Sequence, residues 1–196
     1  MCWKPSGSRT FQVRSYYHVL SPTDGVLFPW KCIWKLRVPP RVTFFMWTVA
    51  LGKILTADNL RRRNVILVSW CCLCKVDGET MQHLFLHCKV ARELWDTVLN
   101  LFGMHGVMPW RVVDLLTCWQ GKLGHHRYIE IWKAVPHCLM WCLWREWNTS
   151  IFEDCERHVL ELKLMFFRTL FDWMTATRLF SFTSYLEFFY FCSIQL

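Results

Sequence analysis

Apolar residues recur at three- and four-residue intervals along most of this chain, a spacing typical of amphipathic or buried helices. Trp30, Ile33 and Trp34 show it early, and the second half of the chain repeats it over longer distances. We therefore expect a mainly α fold. The predicted helices span residues 30–36, 41–52, 57–64, 89–102, 110–119, 128–148 and 152–180, after a short extended stretch at 10–13 and a helical turn at 14–20.

Proline, glycine and threonine mark several ends of these helices. The pair Pro39 and Pro40 breaks the helix that precedes it, because proline lacks a backbone N–H and restricts the residue before it. Gly52 suits the position just after a helix, and Thr56 suits the position just before one. Pro136 predicts a kink or break inside the long helix of the second half.

Composition adds a large apolar content and a positive charge. The 196 residues are 54% hydrophobic, include 13 Trp and 15 Phe, and carry a net charge of +8. A chain of this length forms one or two domains with a substantial core, and its charge suits a polyanionic partner. The aromatic tail at 181–196 is too short for a membrane span and is interrupted by Glu187, so we expect no membrane partner.

Cysteine usage indicates the compartment. The chain has eleven cysteines, an odd number, and its first residues do not form the charged and then apolar pattern of a signal peptide. Both observations argue against a disulfide framework. We expect an intracellular, reducing compartment, and the sequence leaves nucleus and cytoplasm open.

The densest candidate chemistry lies in the stretch CCLCKVDGETMQHLFLHC at residues 71–88. Zinc prefers four thiolate or imidazole ligands in a tetrahedron, and structural sites commonly take two of them from a Cys-x-x-Cys turn. Cys71 and Cys74 have that spacing, while His83 and Cys88 can supply a second pair after the turn at Asp77-Gly78. We therefore predict a Cys3His zinc site.

One alternative concerns the fourth ligand. On a straight helix His87 shares a face with His83, whereas Cys88, five residues on, lies roughly 140° away. Cys88 can bind the metal only if the helix that starts near Thr80 ends or bends near His87. A second alternative has no metal at all, with the cysteines as buried core thiols.

A basic cluster precedes this stretch. Between residues 31 and 63 the chain has eight basic residues and one acid, which is +7 of the total +8. We interpret part of this cluster as a phosphate-contacting surface. Its candidate residues are Arg41, Lys53, Arg61, Arg62 and Arg63. The interleaved aromatics Trp34, Phe44, Phe45 and Trp47 can stack on unpaired bases or pack in the core, and we favour the core for them.

Many spaced residues between 6 and 97 match one known pattern. They comprise Gly7, FQVRSYY at 11–17, WKCIW at 30–34, VPPRV at 38–42, FFMW at 44–47, GKILT at 52–56, DNLRRR at 58–63, Cys71, Cys74, Glu79, HLF at 83–85, Cys88, Ala91, Leu94 and Trp95. This pattern resembles the zinc-binding region that follows the reverse transcriptase in plant non-LTR (LINE-type) retroelements and in orphan plant genes derived from them. The stretch WCLWREWNTSIF at 141–152 also resembles the segment after that region.

The resemblance implies a module that helps a reverse transcriptase engage nucleic acid, and it implies the ligands Cys71, Cys74, His83 and Cys88. Cys72 is an extra thiol outside the pattern, which leaves a register shift at the turn open. The catalytic parts of such elements are missing from the sequence: it contains no Asp-Asp pair, and the acids after residue 129 lack a strand context for a two-metal nuclease site. We expect no enzyme activity, since a four-ligand zinc has no open position for water.

These observations give a predicted layout and three classes of function. We expect a small helical zinc domain at 6–97, a linker with a short helix at 98–127, a Trp-rich helical extension at 128–180 and an apolar tail at 181–196. The favoured function is binding of RNA or DNA. The alternatives are a protein-interaction module that contacts a reverse transcriptase or another protein through the Trp-rich helices, and a relic fragment without selected activity.

Overall fold

A computed structural model describes residues 28–65, 70–104, 106–119, 129–177 and 180–193. The predicted extended stretch at 10–13 and the helical turn at 14–20 lie outside these ranges. The described helices are α1 (Trp30–Trp34), α2 (Pro40–Ala50), α3 (Ala57–Arg61), a π-helical turn (His83–His87), α4 (Lys89–Leu101), α5 (Val112–Cys118), α6 (Ile129–Phe152), α7 (Val159–Ala176) and α8 (Tyr185–Ser193). Extended pairing in these ranges is limited to one antiparallel bridge between Trp70 and Gly78. The mainly α prediction is confirmed.

Helix α2 shows how the sequence sets the ends of an element. Pro40 occupies its first turn, where a missing N–H costs nothing. At the other end Gly52 adopts a φ of 66°, and its N–H donates to Val49 O at 2.9 Å. The N–H of Lys53 donates to Thr48 O at 2.9 Å, which completes a Schellman motif. Gly52 therefore ends α2 as predicted.

The core is one continuous cluster of buried side chains, and α6 runs through it. Helix α6 packs against α7, α2 and the π-helical turn. Most of its side chains are buried, which explains why it is apolar on nearly every face. The cluster includes Phe85 and Trp95 of the predicted zinc domain together with Trp147 of the predicted extension. Residues from both parts of the predicted layout thus share a core.

Pro136 lies inside α6 without interrupting it. Proline has no N–H, so the carbonyl of Trp132, four residues earlier, has no partner within the helix. The indole N–H of Trp119 donates to that carbonyl at 2.8 Å, and the two indole rings stack with centroids 4.1 Å apart. Of the kink or break predicted at Pro136, the break is absent, and a side chain from outside the helix satisfies the carbonyl.

The predicted helix at 152–180 is wrong at its start. Helix α6 continues to Phe152, and Asp154 has a φ of 51°, a left-handed conformation that ends the helical path. The buried carboxylate of Glu146 then accepts hydrogen bonds from the backbone N–H and the guanidinium of Arg157, both at 2.7 Å. Helix α7 begins only at Val159.

The buried stripe of α7 and the end of the described chain complete the fold. The buried side chains of α7 are Leu162, Phe166, Phe167, Leu170, Trp173 and Met174. Leu160 and Leu164 lie on the opposite, exposed face. In the tail, α8 packs against α7 and buries Phe188 and Cys192. Among the described helices, none combines the length and the apolar composition that crossing a bilayer requires.

Candidate metal centre

Four side chains converge beside the start of α4. The ligand atoms of Cys71, Cys74, His83 and Cys88 all lie within 4.8 Å of one another. The Sγ atoms of Cys71 and Cys88 are 3.9 Å apart, and Cys74 Sγ lies 3.3 Å from His83 Nε2. Tetrahedral zinc with Zn–S near 2.3 Å and Zn–N near 2.05 Å requires edges of about 3.8 Å and about 3.5 Å. The donor set and its spacing therefore fit a zinc ion.

The first two ligands come from a tight turn. The N–H of Cys71 donates to Asp77 O and the N–H of Lys75 donates to Cys71 O, each at 2.8 Å. Lys75 takes a left-handed φ of 58°, and the bridge between Trp70 and Gly78 closes the reversal. This backbone turns the thiols of Cys71 and Cys74 toward the same point. The chain reverses at residues 72–75, just before the turn predicted at Asp77-Gly78, and Asp77 and Gly78 pair back with Cys71 and Trp70.

The second pair comes from the π-helical turn His83–His87. Here the N–H of Cys88 donates to His83 O at 2.7 Å, a bond that spans five residues instead of four. The extra residue in the turn brings positions five apart onto one face. Cys88 itself is extended, with φ −56° and ψ 137°, and it ends the turn before α4 begins. The helix thus ends at His87, which is the condition under which Cys88 can act as the fourth ligand.

His87 and Cys72, the two open alternatives, both lie outside the group. The ring of His87 stacks on Trp110 with centroids 4.6 Å apart, and its Nε2 lies 3.0 Å from Trp110 O. Cys72 is partly buried beside the turn, and its thiol is not among the four converging groups. The local geometry thus favours the register of Cys71, Cys74, His83 and Cys88.

Protonation in this cluster follows burial and the close approach of the thiols. The hydrogen bond to Cys88 and burial raise the pKa of the Cys71 thiol. The same hydrogen bond lowers the pKa of Cys88, and the backbone amides of Ala91 and Val90 at the start of α4 act in the same direction. Burial lowers the pKa of His83, which favours the neutral imidazole that a metal needs. A bound cation would take the place of the proton between the thiols.

Glu79 connects the candidate metal centre to α3. Its side chain is 1% exposed, and one carboxylate oxygen accepts the N–H of Ala57 at 2.8 Å, at the first position of α3. Burial raises the pKa of this carboxyl. Residue spacing contained no signal for this link, because Ala57 and Glu79 are 22 positions apart. Arg61, Arg62 and Arg63 lie between Ala57 and Glu79 in the sequence.

Comparison with known proteins identifies the segment that carries this centre. Residues 11–95 match the family described as zinc-binding in reverse transcriptase. They belong to that family. The match lies inside the predicted domain at 6–97.

One relative is similar to this chain over more residues than the family match covers, and it is a much longer protein. An Arabidopsis thaliana protein with the curated name "Putative ribonuclease H protein" is 32% identical over 160 residues, which are 79% of this chain. Those residues make up 25% of the relative, so the chain spans about a quarter of its length. No solved structure matches the chain.

The structure separates the five basic candidates of the reverse transcriptase zinc-binding region into two places. Arg61, Arg62 and Arg63 are exposed at the end of α3. Lys53 is exposed in the preceding loop, which Asn59 holds against α3 through hydrogen bonds to Gly52 O and Ile54 O at 3.0 and 2.7 Å. All four residues are exposed on α3 or on the loop held against it, and they are called the α3 basic patch below.

Arg41 lies apart from this patch. It is exposed at the first turn of α2, at the opposite end of that helix from Lys53. Its guanidinium carbon lies 5.7 Å from the ring centroid of Trp141, a cation–π distance. The interaction ties Arg41 to α6 and leaves its charge facing solvent.

The interleaved aromatics divide between core and surface. Phe45 is buried and packs edge-on against Phe85, so the core interpretation is confirmed for it. It is wrong for Trp34 and Phe44, which are 50% and 57% exposed. Both rings lie against the half-buried Trp47, at centroid distances of 6.4 and 5.4 Å. The result is an exposed aromatic surface between α1 and α2.

Proposed function

We propose that this protein is a zinc-stabilised nucleic-acid-binding module, derived from the reverse transcriptase protein of a plant LINE-type retroelement and without catalytic activity of its own. Zinc is the metal that suits three cysteines and one histidine at tetrahedral spacing. The family match and the Arabidopsis relative support the retroelement origin. Four protein ligands fill a zinc shell and leave no position for a reacting water.

The observation that carries the proposal is the connection between the metal centre and the α3 basic patch. The patch presents Arg61, Arg62, Arg63 and Lys53 to solvent, with no resolved ion pair to neutralise them among the described residues. Glu79 anchors the start of α3 to the segment between the two ligand pairs. Metal binding therefore orders the backbone that positions the cations, and such cations contact phosphates.

The exposed aromatic surface supports a single-stranded partner. About half of each of the Trp34 and Phe44 side chains is exposed to solvent, and Arg41, three residues before Phe44, lies on the same side of α2. Aromatic faces stack on unpaired bases, and nearby cations contact the backbone that joins them. RNA and DNA both offer this chemistry.

The proposed compartment is intracellular and reducing. The thiols of Cys71, Cys74 and Cys88 form no disulfide bond. Three thiols of the metal centre must stay reduced to act as ligands, because a disulfide between them removes two donors. A reducing compartment meets this need, in the nucleus or in the cytoplasm.

The test of nucleic-acid binding is charge reversal within the patch. We expect Arg61→Glu with Arg62→Glu to weaken binding of a labelled single-stranded oligonucleotide at least tenfold at low salt and to reduce the slope of log affinity against log salt, because two phosphate contacts are lost. Zinc content should stay at one ion per chain.

A matched control reverses two charges elsewhere. Arg145 and Arg168 are exposed on α6 and α7, so Arg145→Glu with Arg168→Glu makes the same change in net charge away from the patch. Its affinity should fall much less. Equal losses in the two double variants would mean that only net charge matters, and unchanged affinity in the patch variant would refute the contact surface.

One observation favours a second candidate, a protein-interaction module. Leu160 and Leu164 are 61% and 63% exposed and one turn apart on α7. The tryptophans of α6 are less available, since Trp132 and Trp147 are buried. Binding of a reverse transcriptase or another protein through α7 would be insensitive to salt and lost in Leu160→Gln with Leu164→Gln.

A further inference from the structure

A cavity of about 240 Å³ lies between α1, the end of α5 and the first half of α6. Leu36, Leu116 and Pro136 give it apolar walls, and Trp119 adds an aromatic side. It is smaller than the pockets that hold drug-sized ligands, and suits one small ring system with its substituents. None of the residues that line this cavity belongs to the metal centre or to the α3 basic patch.

His137 is the unusual group in this lining. It is 1% exposed, and within the described part of the chain neither ring nitrogen has a hydrogen-bond partner. Burial lowers the pKa of His137 to about 3, so the ring is neutral and offers one donor and one acceptor. Buried polar groups nearly always have partners, and leaving one without a partner costs about 1–3 kcal/mol. The arrangement therefore calls for a polar ligand in the cavity.

The charges at the cavity favour an anion. Lys31, Lys35 and Lys133 line it together with a single acid, Glu130. Glu130 pairs with Lys133 at 2.8 Å, and no ion pair is resolved for Lys31 or Lys35 within the described ranges. Lys31 in α1 and Lys35 directly after it thus add two positive charges to the cavity lining, beside the Glu130–Lys133 pair.

The rigid wall of the cavity comes from the Trp119–Trp132 pair. Trp119 is held by its hydrogen bond to Trp132 O and by stacking on the Trp132 ring. Pro136, which frees that carbonyl, also lines the cavity and precedes His137. A flat heterocycle with a polar edge matches an aromatic wall beside an unpartnered imidazole.

We propose that this cavity binds one unpaired nucleotide, with the base against His137 and Trp119 and the phosphate at Lys31 and Lys35. The inference rests on the proposed nucleic-acid function and adds to it the position where a single base is held. The location fits a strand that crosses the exposed aromatic surface, because Trp34 belongs to the same short helix as Lys31. A free nucleoside monophosphate presents the same chemistry.

The direct test observes the His137 ring in the zinc-loaded full chain by NMR while AMP, GMP, CMP, UMP or inorganic phosphate is added. We expect at least one nucleotide to shift the His137 ring signals saturably, and inorganic phosphate to leave them in place. The inference is overturned if no nucleotide moves these signals at millimolar concentration, which would mean that the cavity holds only water, or if phosphate alone reproduces the shifts.

Variants separate this site from the α3 basic patch. Lys31→Ala with Lys35→Ala should weaken nucleotide binding at least tenfold, and His137→Phe, which keeps the ring shape without its nitrogens, should weaken it similarly. Arg61→Glu with Arg62→Glu should leave it unchanged. Equal binding by wild type and the lysine variant would contradict the site even if His137→Phe fails to fold.

An oligonucleotide distinguishes the two sources of the nucleotide and the two proposals. If a strand is the natural occupant, a four-residue oligonucleotide binds at least tenfold tighter than the best monophosphate and shifts His137 in the same way. Oligonucleotide binding that depends on Arg61 and Arg62 without moving His137 would overturn this inference and leave the proposed function standing. Monophosphate binding at His137 without oligonucleotide binding would confirm the cavity and refute the proposed function.

Discussion

His83 and His87 lie four residues apart, yet the structure gives them different neighbours. His83 approaches Cys74, whereas His87 stacks on Trp110 and lies close to its carbonyl. Helical geometry alone predicts the opposite grouping, with both histidines on one face. The π-helical turn changes the outcome, since its five-residue bond places Cys88 beside His83.

The first prediction compares the two histidines as alanine variants. We expect His83→Ala to lose zinc, because it removes one of four ligands, and His87→Ala to retain one zinc per chain. Metal content of the purified proteins by mass spectrometry decides between them. Retention of zinc by His83→Ala together with its loss from His87→Ala would show that the ligand set is wrong.

All four ligands were predicted from the sequence, but residue spacing alone left the choice between Cys88 and His87 open. Spacing identified Cys71, Cys74 and His83, since Cys-x-x-Cys and a later histidine require only a reversal of the chain between them. The fourth ligand depends on whether one turn closes over four or five residues. No side-chain pattern in LFL at 84–86 specifies that.

Glu79 supports a second prediction at the residue scale, made with two variants. Glu79→Ala leaves the buried N–H of Ala57 without its acceptor, so we expect a loss of about 1–3 kcal/mol in the free energy of unfolding. Glu79→Gln keeps an acceptor and should cost less. Urea denaturation of the zinc-loaded proteins measures both, and equal losses would show that the hydrogen bond is not the source of the stability.

The pH dependence of Glu79 has a definite sign. Burial raises the pKa of this carboxyl in the folded protein, so the folded state binds the proton more tightly than the unfolded state. Its contribution to stability is present below its unfolded pKa and is lost as pH rises through the raised pKa. The difference in stability between wild type and Glu79→Gln should therefore change across that interval, in favour of Glu79→Gln at higher pH.

At the scale of the elements, α6 shows how a helix tolerates proline through a partner outside it. Trp119 donates to the carbonyl that Pro136 leaves without a helical partner. Trp119→Phe should therefore cost about 1–3 kcal/mol in the free energy of unfolding, because the Trp132 carbonyl is buried. In the Pro136→Ala background the new N–H of residue 136 can bond the Trp132 carbonyl. The free-energy cost of Trp119→Phe should therefore be lower there by about 1 kcal/mol.

A double-mutant cycle measured by urea denaturation tests this coupling. The four proteins are wild type, the two single variants and the double variant. Additive effects, with no coupling energy between positions 119 and 136, would refute the idea that Trp119 replaces the missing helical bond. The cycle also removes the effect of lost stacking on Trp132, since Trp119→Phe changes the stack in both backgrounds.

The element ends show where sequence patterns were informative and where they were not. Gly52 ended α2 as predicted, because a left-handed residue after a helix is a local requirement that glycine meets. The start of α7 was not predictable in this way. His158 caps this start by accepting the N–H of Leu160. The preceding Arg157 bonds to Glu146, a tertiary contact that leaves no periodic trace in the sequence.

For the whole molecule, the metal centre is continuous with the core that joins both halves of the chain. Leu84, Phe85 and Leu86 lie between the ligands His83 and Cys88 and are fully buried. The indole N–H of Trp95 donates to Phe85 O at 2.8 Å, and Phe45 packs on Phe85. Moving the ligands therefore moves central core residues.

Removal of the metal should destabilise the described fold as a unit. We expect chelation to abolish cooperative unfolding and to lower hydrogen-exchange protection in α6 and α7 as well as around the ligands, because the core is shared. Cys118→Ser alters an exposed thiol outside the site and serves as the control, with unchanged metal content and protection. Full protection of α6 and α7 after chelation would show that they fold independently of the metal.

The five-residue bond of the π-helical turn also makes this segment sensitive to changes in length. Deleting one residue between His83 and Cys88 would rotate the cysteine by about 100° around the helix axis and carry it away from the other ligands. We therefore expect related proteins that keep the metal site to keep the number of residues between these two ligands constant. Gene copies that are no longer under selection for the metal site should accumulate insertions and deletions in this turn as often as in surface loops. The length of this one turn would then indicate whether a copy still encodes a metal-binding protein.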